Sequence, residues 1–351
     1  MGITLHINMP GWRAHLDQFV AQVPDCVPVV KGNGYGFGID RLVREIQRMG
    51  AGTVAVGLPS EVAPVRAAGF DGDILVLQPW RPGEPTGEES GTGLIRIVSR
   101  LEDARALAER GAPAWPMLIE LDTPMRRYGV AQDDIAATAE ALEGFDVRGW
   151  TLHLPLPRAG VDQVGMARGL TRTALQVASV PGRVWVSHMT AAQIGQLGGD
   201  VSLRVGTALW LGAPATQRMS SVVLDVHRVR RGERIGYHQR PMPRDGFVLM
   251  IAGGTSNGVG LEFSPNQRPL AQGGLRTRAR TLLAGVTGTA GWSRSPFTVA
   301  GAKRWLVESP HMEASMVFLP SHVTPPAVGS SVPVRLSYTT AQFDETLEEE
   351  W

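Results

Sequence analysis

Short, almost uninterrupted apolar runs recur through the first 210 residues, and most are followed by segments whose apolar residues return every third or fourth position. The runs are Val27–Lys31, Thr53–Gly57, Asp73–Leu77 and Leu94–Val98, then Pro116–Leu121, Gly149–Leu154, Val184–His188 and Val201–Val205. Their lack of alternation predicts strands buried on both faces, as parallel strands are. Segments 39–49, 100–110 and 133–143 carry helical periodicity, and Gly50, Gly69, Gly111 and Gly144 mark the returns. Eight strands alternating with helices through short loops predict right-handed crossovers that close into a (β/α)8 barrel. A doubly wound open sheet is the competing architecture, but no G-x-G-x-x-G opens a helix after the first strand. Residues 81–93 predict a loop with one short turn.

Beyond about residue 214 the helical period vanishes. Segments 221–229, 246–254, 280–288, 315–320 and 332–338 read as short alternating strands, separated by turn clusters such as those at 288–292 and 323–331. The division expected is a barrel over 1–213 and a mainly β domain over 214–351, with the opening segment 3–8 a strand available to pair with the second. The acidic residues 344–350 read as a solvated terminus.

Composition narrows the function classes. A formal net charge of +1 gives no field to gather nucleic acid or an anionic membrane. No apolar stretch approaches a bilayer span, and the N-terminus lacks a signal-peptide pattern, so a cytoplasmic location is expected. Cys26 is the only cysteine, which rules out an intrachain disulfide and reads most simply as a small apolar residue opening a strand. No metal is expected. His311 and Glu313 are the only close candidates, two residues apart, and a surface strand explains them more simply than ligation does.

In such barrels chemistry sits at the C-terminal ends of the strands. Lys31 ends the first strand, Asp122, Arg126 and Arg127 follow the fifth, and His153 lies near the end of the sixth. Thr190 follows the seventh, and Arg204 ends the eighth ahead of Gly206 and Thr207. Each has a plain structural explanation alone; their gathering on one rim points to a site. A desolvated lysine there suits Schiff-base chemistry, because a depressed pKa frees the amine. Small residues after the last two strands suit phosphate, with Tyr35 adding a hydroxyl.

These residues resemble the alanine racemase family of fold-type III pyridoxal phosphate enzymes. VVKGNGYGFG (29–38) looks like the family's lysine-bearing VVKANAYGHG, and ELDTPMRRYGV (120–130) resembles its K-(I/M)-DTGM-x-RLG. LRVGTALWLG (203–212), RRGERIGYHQ (230–239) and HMEASM (311–316) follow in the family's order. The resemblance implies that Lys31 holds pyridoxal phosphate and acts as base on one face of the substrate Cα. It implies Tyr237 as the base on the opposite face, delivered by the second subunit of a homodimer. Arg204 would face the pyridine nitrogen, and His153 would link Arg204 to Tyr237. Arg127 and the backbone of Met312 would meet the substrate carboxylate, while Tyr35, Thr190, Gly206 and Thr207 would hold the phosphate. A small amino acid, alanine or a related one, is the implied substrate.

The sequence departs from the family at several positions. Glu120 replaces the lysine before the DTG, a built-in anion able to orient Arg127. Pro124 replaces the glycine, Phe37 a histidine and Met189 an asparagine. Tyr338 stands near where the family carries a further phosphate-binding tyrosine, though an ordinary strand residue is the simpler reading. Besides a racemase, two readings stay open: a non-catalytic cofactor carrier, and another fold-type III enzyme such as a decarboxylase, aldolase or dehydratase. The β domain with Tyr237 speaks against the first. Arginine rather than glutamate at the ring nitrogen speaks against a decarboxylase.

Overall fold

The computed structural model describes residues 2–84, 93–158, 160–177, 180–261 and 293–351. Strand candidate 280–288, turn 288–292 and most of the loop expected over 81–93 lie outside those residues. The chain divides into two compact units, Arg13–Gly212 and a second formed by Met1–Trp12 with Ala213–Trp351. Strand β1 (Thr4–Asn8) lies in the second unit, and the boundary falls within helix α1 (Met9–Gln22).

Eight parallel strands build the first unit. They are β2 (Cys26–Pro28), β3 (Thr53–Val56), β4 (Asp73–Val76), β5 (Leu94–Val98), β6 (Met117–Leu121), β7 (Val147–Leu152), β8 (Val184–Ser187) and β9 (Val201–Val205). Their spatial order is β2-β9-β8-β7-β6-β5-β4-β3, and the two ends of that order meet where Val29 bridges Ala55. The Val30 N–H donates to the Ala55 carbonyl at 2.7 Å, leaving a nearly closed barrel. All eight strands expected of the barrel are present. The first is shorter than expected because Gly32, Gly34, Gly36 and Gly38 all take positive φ and turn the chain out of the ladder.

Helices α2 (Ile39–Met49), α3 (Val62–Ala67), α4 (Leu101–Arg110), α5 (Ile135–Ala141), α6 (Gln163–Val177), α7 (Ala191–Leu197) and α8 (Thr207–Trp210) fall between or after the strands. The helix expected over 133–143 narrows to α5, with the preceding turn tightened into a 3-10 turn at Gln132–Asp134. Gly50 closes α2 in the left-handed region, where its N–H satisfies the carbonyls of Ile46 and Gln47.

Register decides what points inward. Val27 pairs with Arg204 and Arg204 with Ser187, while Glu120 pairs with Thr151 and Thr151 with Trp185. Aligned residues of neighbouring parallel strands share a face, so these side chains and the buried cluster Val27, Val29, Ala55, Leu75, Ile95, Ile97, Leu118 and Trp185 belong to one surface. Two residues further along the same parity come Lys31 after Val29 and His153 after Thr151. The strands thus change from an apolar floor to a polar rung within one pleat.

The second unit is a mainly β sheet of order β14-β15-β16-β13-β10-β1-β18, with β17 beside β10. Its strands are β10 (Gln217–Val229), β13 (Gly246–Ala252), β14 (Arg294–Val299), β15 (Ala302–Leu306), β16 (Ala314–Pro320), β17 (Ser331–Pro333) and β18 (Glu345–Glu349), with the hairpin β11 (Arg234–Ile235) and β12 (Arg240–Pro241) apart. β1 pairs antiparallel with β10, from Thr4 opposite Ser220 to Ile7 opposite Gln217. The acidic terminus is not merely solvated: it forms β18, parallel to β1. His6 at 2.7 Å and Arg218 at 2.6 Å of Glu349 offset the like charge that would otherwise keep this segment apart. Tyr338 sits in a turn rather than a strand, its ring 6.2 Å from that of Phe343.

Candidate active site

Lys31 lies three residues beyond the end of β2, with Arg127, Arg204 and Glu61 near enough to act on its charge. Burial and the two guanidiniums hold its amine below the ordinary lysine range, with Glu61 working the other way. An amine eased toward its neutral form is the one able to attack a carbonyl carbon. Glu61 ends the 3-10 turn Pro59–Glu61 after β3 and accepts the N–H groups of Gly57 at 2.6 Å and Leu58 at 2.9 Å, and that of Gly32, next to Lys31. It thereby ties the Lys31 loop to the end of β3. Its mark in the sequence is L-P-S-E (58–61), an acid at capping-box spacing after a strand.

Tyr35 is 5% exposed and adopts φ +55, a conformation costly for a side chain of its size. Burial pushes its phenol up to about 12, so the hydroxyl keeps its proton. A Cβ on Gly206 would fall 1.9 Å from the Tyr35 hydroxyl, so glycine is required where this ring meets the end of β9. Gly206→Ala is expected to displace Tyr35 and to cost about 1–3 kcal/mol by overpacking. A urea midpoint indistinguishable from wild type would contradict that packing. Thr190 caps α7, its hydroxyl accepting the Gln193 N–H at 3.3 Å, and Thr207 opens α8.

Arg204 is buried on β9, and burial lowers its guanidinium to about 10 while Glu120 opposes the fall. Its Nη2 donates to the Leu152 carbonyl at 2.9 Å, and its Nε has no partner among the described residues. The expected hydrogen bond between His153 and Arg204 is not found among them; the guanidinium reaches β7 one residue earlier, at the Leu152 carbonyl. His153 instead sits 3.4 Å from the Ser187 hydroxyl and edge-on to His188, with ring centroids 5.1 Å apart. Burial and then Arg204 and Arg127 drive His153 down to about 3, so it is a neutral ring.

His188, the end of the strand expected over Val184–His188, faces the same site. It takes φ +58, and its Nδ1 lies 2.6 Å from the Leu154 carbonyl, which fixes the N–H on that nitrogen. Burial lowers its pKa despite that bond. No pattern in the sequence distinguishes it, since the left-handed turn depends on where β7 ends beside β8.

Glu120 is 2% exposed with Oε2 unpartnered among the described residues. Burial outweighs the attraction of Arg204 and Arg127 and pushes it up from 4.5 to about 7. A raised acid binds protons more readily folded than unfolded, so its contribution to stability is full below pH 4.5 and fades as pH rises to about 7. The loss is on the order of 3 kcal/mol or less. Glu120→Gln removes it, so the variant should gain on wild type as pH rises through that window. His153 acts in the opposite sense in both proteins and cancels in the difference. Parallel curves of urea midpoint against pH would contradict the assignment. Arg127 is exposed and lies over the Tyr128 ring at 5.0 Å; its link to Glu120 is one of charge rather than a hydrogen bond.

The second unit carries Tyr237, 81% exposed, and Met312, 71% exposed. They line an open pocket of about 370 Å³ with His238, Thr255, Glu308, His311 and Glu313. Glu308 accepts the N–H groups of Tyr237 at 3.2 Å and His238 at 3.5 Å, and His311 Nε2 donates to it at 2.8 Å. Burial alone would raise Glu308, but these bonds together hold it below the usual carboxylate range. The partner of His311 is therefore Glu308, not Glu313, and no cluster of three metal-ligating side chains occurs among the described residues. No helix among them is long and apolar enough to cross a membrane.

Residues 7–214 match the family profile described as alanine racemase, N-terminal domain. An alanine racemase of Nitratidesulfovibrio vulgaris is 27% identical over 325 residues, covering 83% of each chain. The crystal structure of alanine racemase from Bartonella henselae with covalently bound pyridoxal phosphate superposes with a TM-score of 0.73 at 16% identity, over 98% of this chain and 99% of that one. A histidine racemase from Leuconostoc mesenteroides gives 0.68 at 17% identity, over 100% of this chain and 97% of the other. At such identities the structural likeness establishes the fold. Fold and sequence relatives together define the class, a racemase-type isomerase built from a barrel and a β unit. The chain belongs to the alanine racemase family.

Proposed function

We propose that this protein racemises a small amino acid, alanine or a close relative, on pyridoxal phosphate held by Lys31, and that it works as a homodimer. The observation that carries the reading is the polar rung of Lys31, Glu120, His153 and Arg204, set above an apolar barrel floor, with the Lys31 amine eased toward its neutral form. The residues suit the cofactor on two counts. The Nε of Arg204 is buried without a partner among the described residues, a donor free for a ring nitrogen. Gly206, lacking a Cβ, lets the Tyr35 hydroxyl close on the backbone between β9 and α8, which brings a hydroxyl and backbone N–H groups together as a phosphate requires.

Pyridoxal phosphate, when bound, supplies the electron sink that spreads the charge left as the α-proton departs. Lys31 holds and returns a proton on one face of Cα, and Tyr237 of a second copy does so on the other. Two such groups are the minimum for inversion, since a proton returned to its own face restores the starting enantiomer. Arg204 keeps positive charge beside the ring nitrogen and disfavours its protonation. Arg127 and the Met312 backbone take the substrate carboxylate. Tyr35, Thr190, Gly206 and Thr207 take the phosphate through hydroxyls and backbone N–H groups.

The test is α-proton exchange in deuterated water, followed by proton NMR with chiral separation for each common L- and D-amino acid. Exchange with inversion for one small amino acid is the expected result and names the substrate. Absence of exchange with all of them, despite cofactor bound through Lys31, would overturn the reading in favour of a carrier. Sedimentation supplies a further check: a fully active monomer contradicts sites shared between subunits.

A further inference from the structure

We infer that His311, held by Glu308, is a positioning residue for Tyr237: it docks the phenol ring in the orientation from which the hydroxyl exchanges a proton. This rests on the reading of Tyr237 as the second base. A tyrosine on a loop with 81% of its surface exposed would ordinarily sample several rotamers, and each unproductive one lowers the fraction of time a proton can move. Here the ring centroid lies 4.6 Å from that of His311, with the planes inclined at 49°. His311 is itself fixed, since its Nε2 donates to Glu308 at 2.8 Å.

The same carboxylate fixes the root of the loop. Glu308 is 6% exposed and accepts the backbone N–H groups of Tyr237 and His238. Gly236 takes φ +76, and a Cβ there would fall 2.4 Å from Glu308 Oε2, so the loop bends over the carboxylate only because this residue is glycine. Main chain and ring of Tyr237 are thus referred to one buried acid, one directly and one through His311. Among the described residues no lysine or arginine pairs with Glu308; a carboxylate buried in that way is costly, and an apolar residue would serve packing alone at lower cost. What the arrangement adds is orientation.

The experiment uses the full chain loaded with pyridoxal phosphate and compares α-proton exchange from each enantiomer separately. His311→Phe keeps an aromatic neighbour and loses the donor to Glu308; His311→Gln keeps a donor. His311→Phe is expected to slow exchange from the enantiomer served by Tyr237 about 10- to 100-fold, and to leave exchange from the other within about twofold. His311→Gln should recover most of the loss. A fluorine-labelled tyrosine at position 237 gives a readout without turnover: one narrow NMR line in wild type, a broadened or shifted one in His311→Phe. Equal slowing of both exchanges, or an unchanged line and unchanged exchange, would overturn the inference. Tyr237→Phe separates the two ideas. If it alters neither exchange, the second-base reading fails, and the fluorine line then decides whether His311 orders the ring.

Discussion

Changing Lys31 to alanine is expected to abolish covalent attachment of pyridoxal phosphate and to slow racemisation about 10⁴-fold or more. Two functions disappear together. The imine bond that anchors the cofactor goes, and so does the base on one face of Cα. The barrel itself should survive, because Lys31 lies beyond the last ladder pair of β2 and its side chain belongs to the mouth rather than the apolar floor. A melting temperature near that of the wild-type apoprotein, with no cofactor retained after borohydride reduction and gel filtration, is the expected pattern. Retained cofactor after reduction would place the anchoring amine elsewhere. Lys303, on β15 of the second unit, has an exposed side chain and would be the first residue to test.

Tyr237→Phe should abolish net racemisation in both directions while leaving one enantiomer able to exchange its α-proton. The symmetry of the reaction forces this form of result. Mirror-image amino acids have equal free energy in water, so kcat/KM must fall by the same factor from either side. Losing the phenolic hydroxyl stops inversion, and a loss of about 10²- to 10⁴-fold is the scale for one positioned acid–base group. The Lys31 face still releases and recaptures its proton, and solvent deuterium enters with retention. Because Tyr237 is 81% exposed, the substitution should leave stability within about 0.5 kcal/mol, so a catalytic effect would not reflect unfolding. Loss of exchange from both enantiomers with cofactor still bound would show that Tyr237 serves binding instead.

The strands and the rim were legible because both depend on local periodicity. A parallel strand buried on both faces must be apolar along its length, so Lys31, His153 and Arg204 stand out as polar residues at or near the ends of apolar runs. Their common place at the C-terminal ends of the strands put them on one rim. The second unit was legible only in outline. The terminus 345–349 looked like a solvated tail because its charges are offset by His6 and Arg218, far away in sequence. Tyr338 looked like a strand residue because an alternating pattern does not disclose where pairing stops.

By itself the sequence determined the barrel and the rim at which Lys31, His153 and Arg204 gather, since apolar runs and a 3.6-residue period are written into neighbouring positions; Glu61 and His188 entered only with the structure. The tertiary structure alone decided their working states. Desolvation sets Glu120 near 7 and His153 near 3, and it depends on which side chains close over them, a property of packing rather than of composition. It also decided that Arg204 Nη2 goes to the Leu152 carbonyl, and that Glu308 gathers Tyr237, His238 and His311 at one point. Those partners are brought together by chain reversals whose geometry is set by the whole sheet, and pairing across such distances leaves no mark in the local pattern.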